Sequence, residues 1–543
     1  MPPDENNYIL KLLFCVKYCV NMKRLHHKLF KLKDLNSILA ESHEPGHKLK
    51  KVLGPFELIL LGVGVIIGAG IFATVGTAAA GDAMRPGAGP ALIVSFAITA
   101  VACSFAALCY AEFASLVPIS GSAYTYSYAT FGELIAWIIG WDLMLEYCVG
   151  SIAVAISWSG YFTGLLRGFG INLPAWSTID FRSATQGFAK ASDLLSNGIS
   201  MESLEPALRK SFEAVTNAPH IFGIPIICNV PASLIVLLLT IILVRGIKES
   251  SRFNIAIVTI KLLVLGFFIA LGSFYIKPQN WTPFAPNGFA GIKAGAAIAF
   301  FAYIGFDCVS TAAEETRNPK RDMPIGIIGS LIVCTIIYML VAAVFTGIVP
   351  FSLLKTSLAS QKAEPLALAM QHINLGWAAI IVAFGSIAAQ IAVLLVLQMG
   401  QARIFFSMAR DGLLPPFFAR VHNKFKTPHV TTIATGLIVA SIAAFTNIDE
   451  MVDLTNIGTL FAFILVCFGI IVLRVKEPAR HRPFKVPLNP IIPLLGVSAC
   501  IFLMTGLPGI TWIRFIAWLI IGLLVYFTYG IRNSILHKNN PTP

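Results

Sequence analysis

Twelve stretches of roughly 20 mostly apolar residues run along this chain, each about long enough to cross a hydrocarbon layer as a helix. They fall at 55–80, 90–117, 131–163, 224–246, 253–276, 292–313, 325–349, 375–402, 429–446, 452–473, 489–508 and 511–531. In hydrocarbon every backbone N–H and C=O must find a partner within the protein, which leaves helices or closed barrels. The runs are continuous rather than alternating, so helices are expected and the fold class is all-α integral membrane. Composition agrees: 56% of the chain is hydrophobic and 12% is charged, against about 25% charged in an average soluble domain. An ordinary soluble enzyme and a disordered chain are both excluded on that ground.

The net charge of +13 would point to nucleic acid in a soluble protein. In a membrane protein it is read first as topology, because Lys and Arg stay on the cytoplasmic side. With the N-terminus inside, about 28 Lys and Arg fall in cytoplasmic segments and about 11 outside. The inner 403–428 and 474–488 segments carry five each. Twelve spans return the C-terminus to the cytoplasm. The lipid bilayer is thus the expected partner, and nucleic acid is not.

The organisation that follows has five parts. A basic tail covers 1–53, two halves cover 54–247 and 248–476, two further helices cover 477–532, and a short tail covers 533–543. Residues 8–20 are apolar but interrupted by Lys11 and Lys17, with no small-residue cleavage site after them, so a signal peptide is not expected. A surface amphipathic helix is one reading of them; a start of translation at Met22 is another. Eight of the ten cysteines lie in apolar segments and read as small buried hydrophobes. Cys15 and Cys19 lack the histidine spacing of a zinc site. The 164–223 segment is expected to be an external cap with short amphipathic helices near 184–196 and 203–216.

Two spans carry glycines where a helix would not choose them. The first reads GVGVIIGAGIF over 62–72, and the sixth reads FFAYIGFDCVS over 300–310. A glycine costs about 1 kcal/mol in a helix interior but permits unwinding and close approach. Interrupted helices in corresponding positions of two halves point to a transporter binding site. These spans are five apart, and an odd repeat unit inserts its second copy upside down. Half-helix N-termini attract an anionic group and freed carbonyls a cationic one, so a zwitterion satisfies both. Helix packing through the Gly64/Gly68 spacing is the bland alternative. A dinucleotide loop lacks its strand–turn–helix context.

Ionisable residues within spans are functional candidates by default. Lys261 lies eight residues into the fifth span, too deep to snorkel easily. Removal from water disfavours a charged amine, so its proton is a candidate for exchange. A permanently charged lysine tying helix ends together is the alternative. Asp142 and Glu146 lie one turn apart in the third span, and a neutral acid hydrogen-bonded to Tyr338 is the alternative reading of Glu146. Asp307 reads as a cap on the second half of the broken sixth span, and Glu112 as interfacial.

GVIIGAGIF (64–72), FFAYIGFD (300–307), AAEETRNPKRDMP (312–324), GQARIFFSMARDGLLP (400–415) and GWDLMLEY (from Gly140) together resemble the amino acid–polyamine–organocation superfamily, in particular the bacterial branch of its cationic amino acid transporter family. The resemblance covers about residues 45–530. It implies a five-plus-five inverted repeat of the leucine-transporter type, with discontinuous helices 1 and 6 and two extra helices. It implies that the substrate carboxylate meets the amides of Ala69, Gly70 and Ile71, with Ile67 and Gly68 beside them. The amino group would meet carbonyls near Phe301, Ala302 and Ile304, with Phe301 as an aromatic gate. Lys261 matches the lysine that replaces a sodium site in proton-coupled relatives, and Glu146 and Tyr338 match a pair lining the pocket. Leu397 falls where relatives face the substrate side chain. An apolar residue there favours neutral or small apolar L-amino acids, because a cationic side chain wants a carboxylate nearby.

The expectation is therefore a proton-coupled amino acid symporter of the bacterial inner membrane working by alternating access. It needs no cofactor, and sodium is not the expected coupling ion. An exchanger, a cationic amino acid permease and a non-transporting sensor are the alternatives. A small accessory membrane subunit is compatible with the sequence but has no motif in it. No nucleophile–base pair or metal-ligand cluster marks an enzyme.

Overall fold

The computed structural model describes residues 29–33, 51, 53–82, 84–116, 122–246, 251–357, 364–425 and 427–538. Most of the N-terminal tail, with Met22, Cys15 and Cys19, lies outside the described residues. Nearly all regular structure is helical, save a hairpin pairing His220–Ile221 with Ile224–Pro225. Among the described residues eight helices are long and apolar enough to cross a membrane, and a bent pair makes a ninth. Three shorter apolar helices, Val230–Arg245, His429–Phe445 and Ile491–Met504, sit where the sequence places further spans.

The apolar helices are α1 (Pro55–Ile66), α2 (Gly70–Ala80), α3 (Leu92–Leu116), α4 (Glu133–Gly168), α5 (Val230–Arg245), α6 (Ser251–Ser273), α7 (Gly288–Ala299), α8 (Pro319–Ile348), α9 (Gly376–Arg410), α10 (His429–Phe445), α11 (Ile448–Lys476), α12 (Ile491–Met504) and α13 (Gly509–Val525). They pack in two groups. Helix α8 lies against α1 and α3, and α7 lies against α3 and the end of α2. Helix α4 lies against α9 and α11, and α5 lies against α10. Helix α6 touches α9 on one side and α1 and α8 on the other, so it joins the groups.

Small residues let these apolar helices approach closely, as expected where lipid removes the hydrophobic drive between helices. A Cβ on Gly326 of α8 would stand 2.6 Å from the Leu58 Cβ of α1, and one on Gly458 of α11 would stand 2.7 Å from Asp142 Oδ1 of α4. The 164–223 segment forms helices Phe181–Ser196 and Pro206–Thr216, longer at the first N-terminus than expected because Asp180 caps it by accepting from the Ser183 amide at 2.9 Å. Ala184, Ala214, Ala218 and Ile227 form its own small core, and Phe188 stacks on Phe212.

Glu112, near the end of α3, is completely buried. It accepts from Arg474 Nε at 3.1 Å, Arg474 Nη2 at 2.5 Å and the Val486 amide at 2.7 Å. Arg482 Nε stands 3.3 Å away, at ion-pair distance without hydrogen-bond alignment. The basic segment after α11 folds back over the end of α3 and supplies the partners a buried carboxylate requires. Among the described residues the eight cysteines are unbridged.

Candidate functional site

The helical ladder breaks where the glycines lie. Helix α1 ends at Ile66, Ile67 turns extended at φ −76° and ψ 99°, and α2 opens at Gly70 as a wide π turn, bent 43° from α1. Helix α7 ends at Ala299 and tightens over Phe300–Tyr303. Ile304 is then extended, Gly305 sits at φ +121°, and a tight helical segment resumes at Asp307–Glu315. Only glycine adopts that φ without strain. The two breaks also touch. A Cβ on Gly70 would overlap the Cα of Ala302, and one on Gly305 would stand 2.8 Å from Val65 Cγ1.

A small, partly open cavity lies at this contact. Its lining comes from the first break (Val65, Ile66, Gly68, Ala69, Gly70), the second (Phe301, Ile304, Gly305, Cys308), α4 (Glu146, Tyr147, Gly150, Val154), α9 (Val393, Leu397) and Thr455 of α11. The first turn of a helix leaves its amides without intrahelical partners, and the last turn does the same to its carbonyls. The opening turn of α2 and the end of the α7 segment therefore bring donors and acceptors to one small, mostly apolar chamber. That is the usual composition of a small-molecule site.

Of the residues expected from the sequence, Gly68, Ala69, Gly70, Phe301, Ile304, Leu397 and Glu146 line this chamber. Ile67, Ile71, Ala302, Lys261 and Tyr338 do not; they are buried behind its wall. Lys261 donates to the Gly64 carbonyl at 2.5 Å and the Ile67 carbonyl at 3.1 Å. Tyr338 donates to the Ile66 carbonyl at 2.9 Å rather than to Glu146. Together they satisfy carbonyls that the break in the first span frees, a requirement in hydrocarbon. Asp307 does not cap the resumed segment as expected: the N-cap is Phe306, without a side-chain bond, and Asp307 instead accepts from the preceding Gly305 amide at 3.3 Å, bracing the turn outside the chamber lining. Asp142, one turn from Glu146, is fully buried against Gly458.

Sequence reasoning missed Val65, Ile66, Tyr147, Gly150, Val154, Gly305, Cys308, Val393 and Thr455 as lining residues. Glu146, Gly150 and Val154 are spaced i, i+4, i+8 on one helix face, and Val393 and Leu397 are spaced likewise. That spacing was a usable signal, once Glu146 was suspected. The structure also shows a second, smaller cavity along α2 and α11, lined by Thr74, Thr77, Arg85 and Asp449 among others. Arg85, on the turn after α2, spans its edge. It pairs with Asp82 at 2.6 Å and, through both terminal nitrogens, with Asp453 of α11 at 2.8 and 3.0 Å.

A family model described as amino acid permease matches residues 53–526. The chain belongs to the amino acid permease family. It is 44% identical over 512 residues to the branched-chain amino acid permease BcaP of Bacillus subtilis, covering 94% of this chain and 99% of that one. It is 42% identical over 510 residues to the methylthioribose transporter of the same organism, with the same coverage. A vacuolar cationic amino acid transporter of Arabidopsis thaliana is 35% identical over 464 residues, covering 83% of this chain and 68% of that one. As an amino acid permease of the amino acid–polyamine–organocation superfamily, the protein is a multi-pass membrane protein. These relatives are named for transport or permeation rather than catalysis.

Proposed function

We propose that the protein is a secondary active transporter that carries a neutral, apolar L-amino acid together with a proton. The observation that carries this reading is the chamber between the two broken spans. Amide donors at the start of α2 suit a carboxylate, and carbonyls at the end of the α7 segment suit an ammonium. Phe301, one of the lining residues, is the aromatic gate. Lys261 stands on the carbonyls of the first break, where a cation would otherwise sit, and is the coupling residue, with Glu146 nearer the substrate. The family and the element order support twelve spans in a five-plus-five inverted repeat with two added helices. The distribution of Lys and Arg supports cytoplasmic termini in a bacterial plasma membrane.

Transport proceeds by alternating access. The group of α1, α2, α3, α7 and α8 rocks against the group of α4, α5, α9 and α10, which meet at the chamber. One proton moving down about 150 mV releases roughly 3.4 kcal/mol, enough to hold a gradient of about 300-fold.

Apolar specificity rests on Leu397, Val393 and Val154 in the lining, and the 44% identical branched-chain permease supports it. A cationic substrate is the second reading, because Glu146 lines the same chamber and offers the carboxylate such a side chain needs. Competition binding with the purified protein against all twenty amino acids separates the two. The account expects leucine-sized apolar side chains to lead the ranking. Arginine or lysine at its head, lost in Glu146→Gln, would overturn it in favour of the second reading.

A further inference from the structure

Four glycines line the chamber, and three have a structural reason to be glycine. A Cβ on Gly68 would stand 2.9 Å from Val393 Cγ2, one on Gly70 would overlap the Ala302 backbone, and Gly305 holds φ +121°. Gly150 has none of these reasons. It lies inside the regular helix α4, without a positive φ. A Cβ there would meet only Leu397 Cδ1 at 3.6 Å and Thr455 Cγ2 at 3.8 Å, both ordinary van der Waals separations. Alanine would fit that space and would suit the helix better by about 1 kcal/mol. What glycine supplies at 150 is empty room on the cavity side of α4.

That room has a defined place. Gly150 stands one turn from Glu146 and one turn from Val154 on the same face, with Leu397 of α9 and Thr455 of α11 as its nearest neighbours on the cavity side. The breaks that suit a substrate's carboxylate and ammonium come from the other side, on the first and sixth spans. An amino acid anchored there by its α-carbon groups points its side chain at α4 and α9.

We infer that Gly150 is the size filter for the substrate side chain, which lies on the glycine backbone between Leu397 and Thr455. The class it admits is apolar and branched or thioether-bearing, in keeping with the mostly apolar lining. Filling the space with one methyl group therefore excludes the larger members while leaving room for small ones. This rests on the transport reading above and adds which residue sets the size limit.

The test is the ratio of leucine to alanine affinity, measured by competition binding and by uptake into proteoliposomes, in the wild type, Gly150→Ala, Leu397→Ala and the double variant. A methyl-sized change in an apolar pocket is worth about tenfold or more. Gly150→Ala is expected to lower the leucine-to-alanine ratio by that factor. Leu397→Ala is expected to shift the ratio the other way and to admit phenylalanine, and the double variant is expected to return toward the wild type, since both changes act on one space. Thermal melting of each variant confirms that it is folded, and Gly150→Ser replaces alanine if Gly150→Ala does not fold. An unchanged ratio in Gly150→Ala, or equal loss for leucine and alanine, overturns the inference while the transport reading stands. A wild type that binds and moves no amino acid overturns both.

Discussion

Replacing Lys261 by methionine tests the coupling assignment with the least change in volume. The lysine is completely buried and donates to the carbonyls of Gly64 and Ile67, at 2.5 and 3.1 Å. Methionine fills the same channel between α6 and the break but donates nothing. Hydrogen bonds to charged groups are each worth about 1.5–3 kcal/mol, so the break loses about 3–6 kcal/mol of support. Tyr338 still holds the Ile66 carbonyl, so the first span keeps one of its anchors. Two readouts follow. Thermal melting in detergent should fall clearly below the wild type, and proteoliposomes should lose uphill accumulation driven by an imposed pH gradient while retaining counterflow of labelled substrate at equal pH. Accumulation as strong as in the wild type would refute the coupling role. An unchanged melting temperature would refute the claim that this side chain supports the break.

Three further outcomes follow from the geometry. Gly70→Ala should abolish substrate binding and lower the melting temperature together, because its Cβ overlaps Ala302 and forces the two breaks apart; normal affinity in a binding assay would count against the site. Arg85→Ala leaves Asp453 buried without its bidentate partner and should cost about 3–5 kcal/mol, read as a drop in melting temperature that Arg85→Ala combined with Asp453→Leu largely restores. Burial pushes the Glu364 carboxyl, in the loop after α8, up to about 7 from its ordinary 4.5, against the opposing pull of Arg167 and Lys210. The folded state therefore holds that proton more tightly than the unfolded chain, so the stabilisation is full below about 4.5 and is lost as pH rises through about 7. Glu364→Gln should flatten stability across that window, and a melting curve as pH-dependent as the wild type's would show that another group is responsible.

Both breaks were legible in the sequence because glycines inside long apolar runs have few other reasons to be there, and Gly68, Gly70 and Gly305 all proved to need their missing side chains. Lys261 was legible as a buried charge. Its partners were not, since carbonyls carry no sequence identity and the choice of Gly64 and Ile67 depends on how α6 crosses the first span. The far wall was harder still. Gly150, Tyr147 and Thr455 sit in unbroken helices whose periodicity does not say which apolar face meets a ligand and which meets another helix. The burial of Glu112 was not legible, because its partners, Arg474 and Arg482, come from a segment more than 350 residues away that serves equally well as a topology signal. Arg85 drew no attention in the sequence for the same reason, since Asp453 reaches it from across the fold.

Uptake of labelled leucine into sodium-free proteoliposomes, with the outside made acidic and then with symmetrical pH, addresses the central claim most directly. The account predicts accumulation above equilibrium only under the inward proton gradient, and its collapse on adding a protonophore. Accumulation that ignores the gradient and requires sodium, or uptake that occurs only by exchange against internal amino acid, would contradict it.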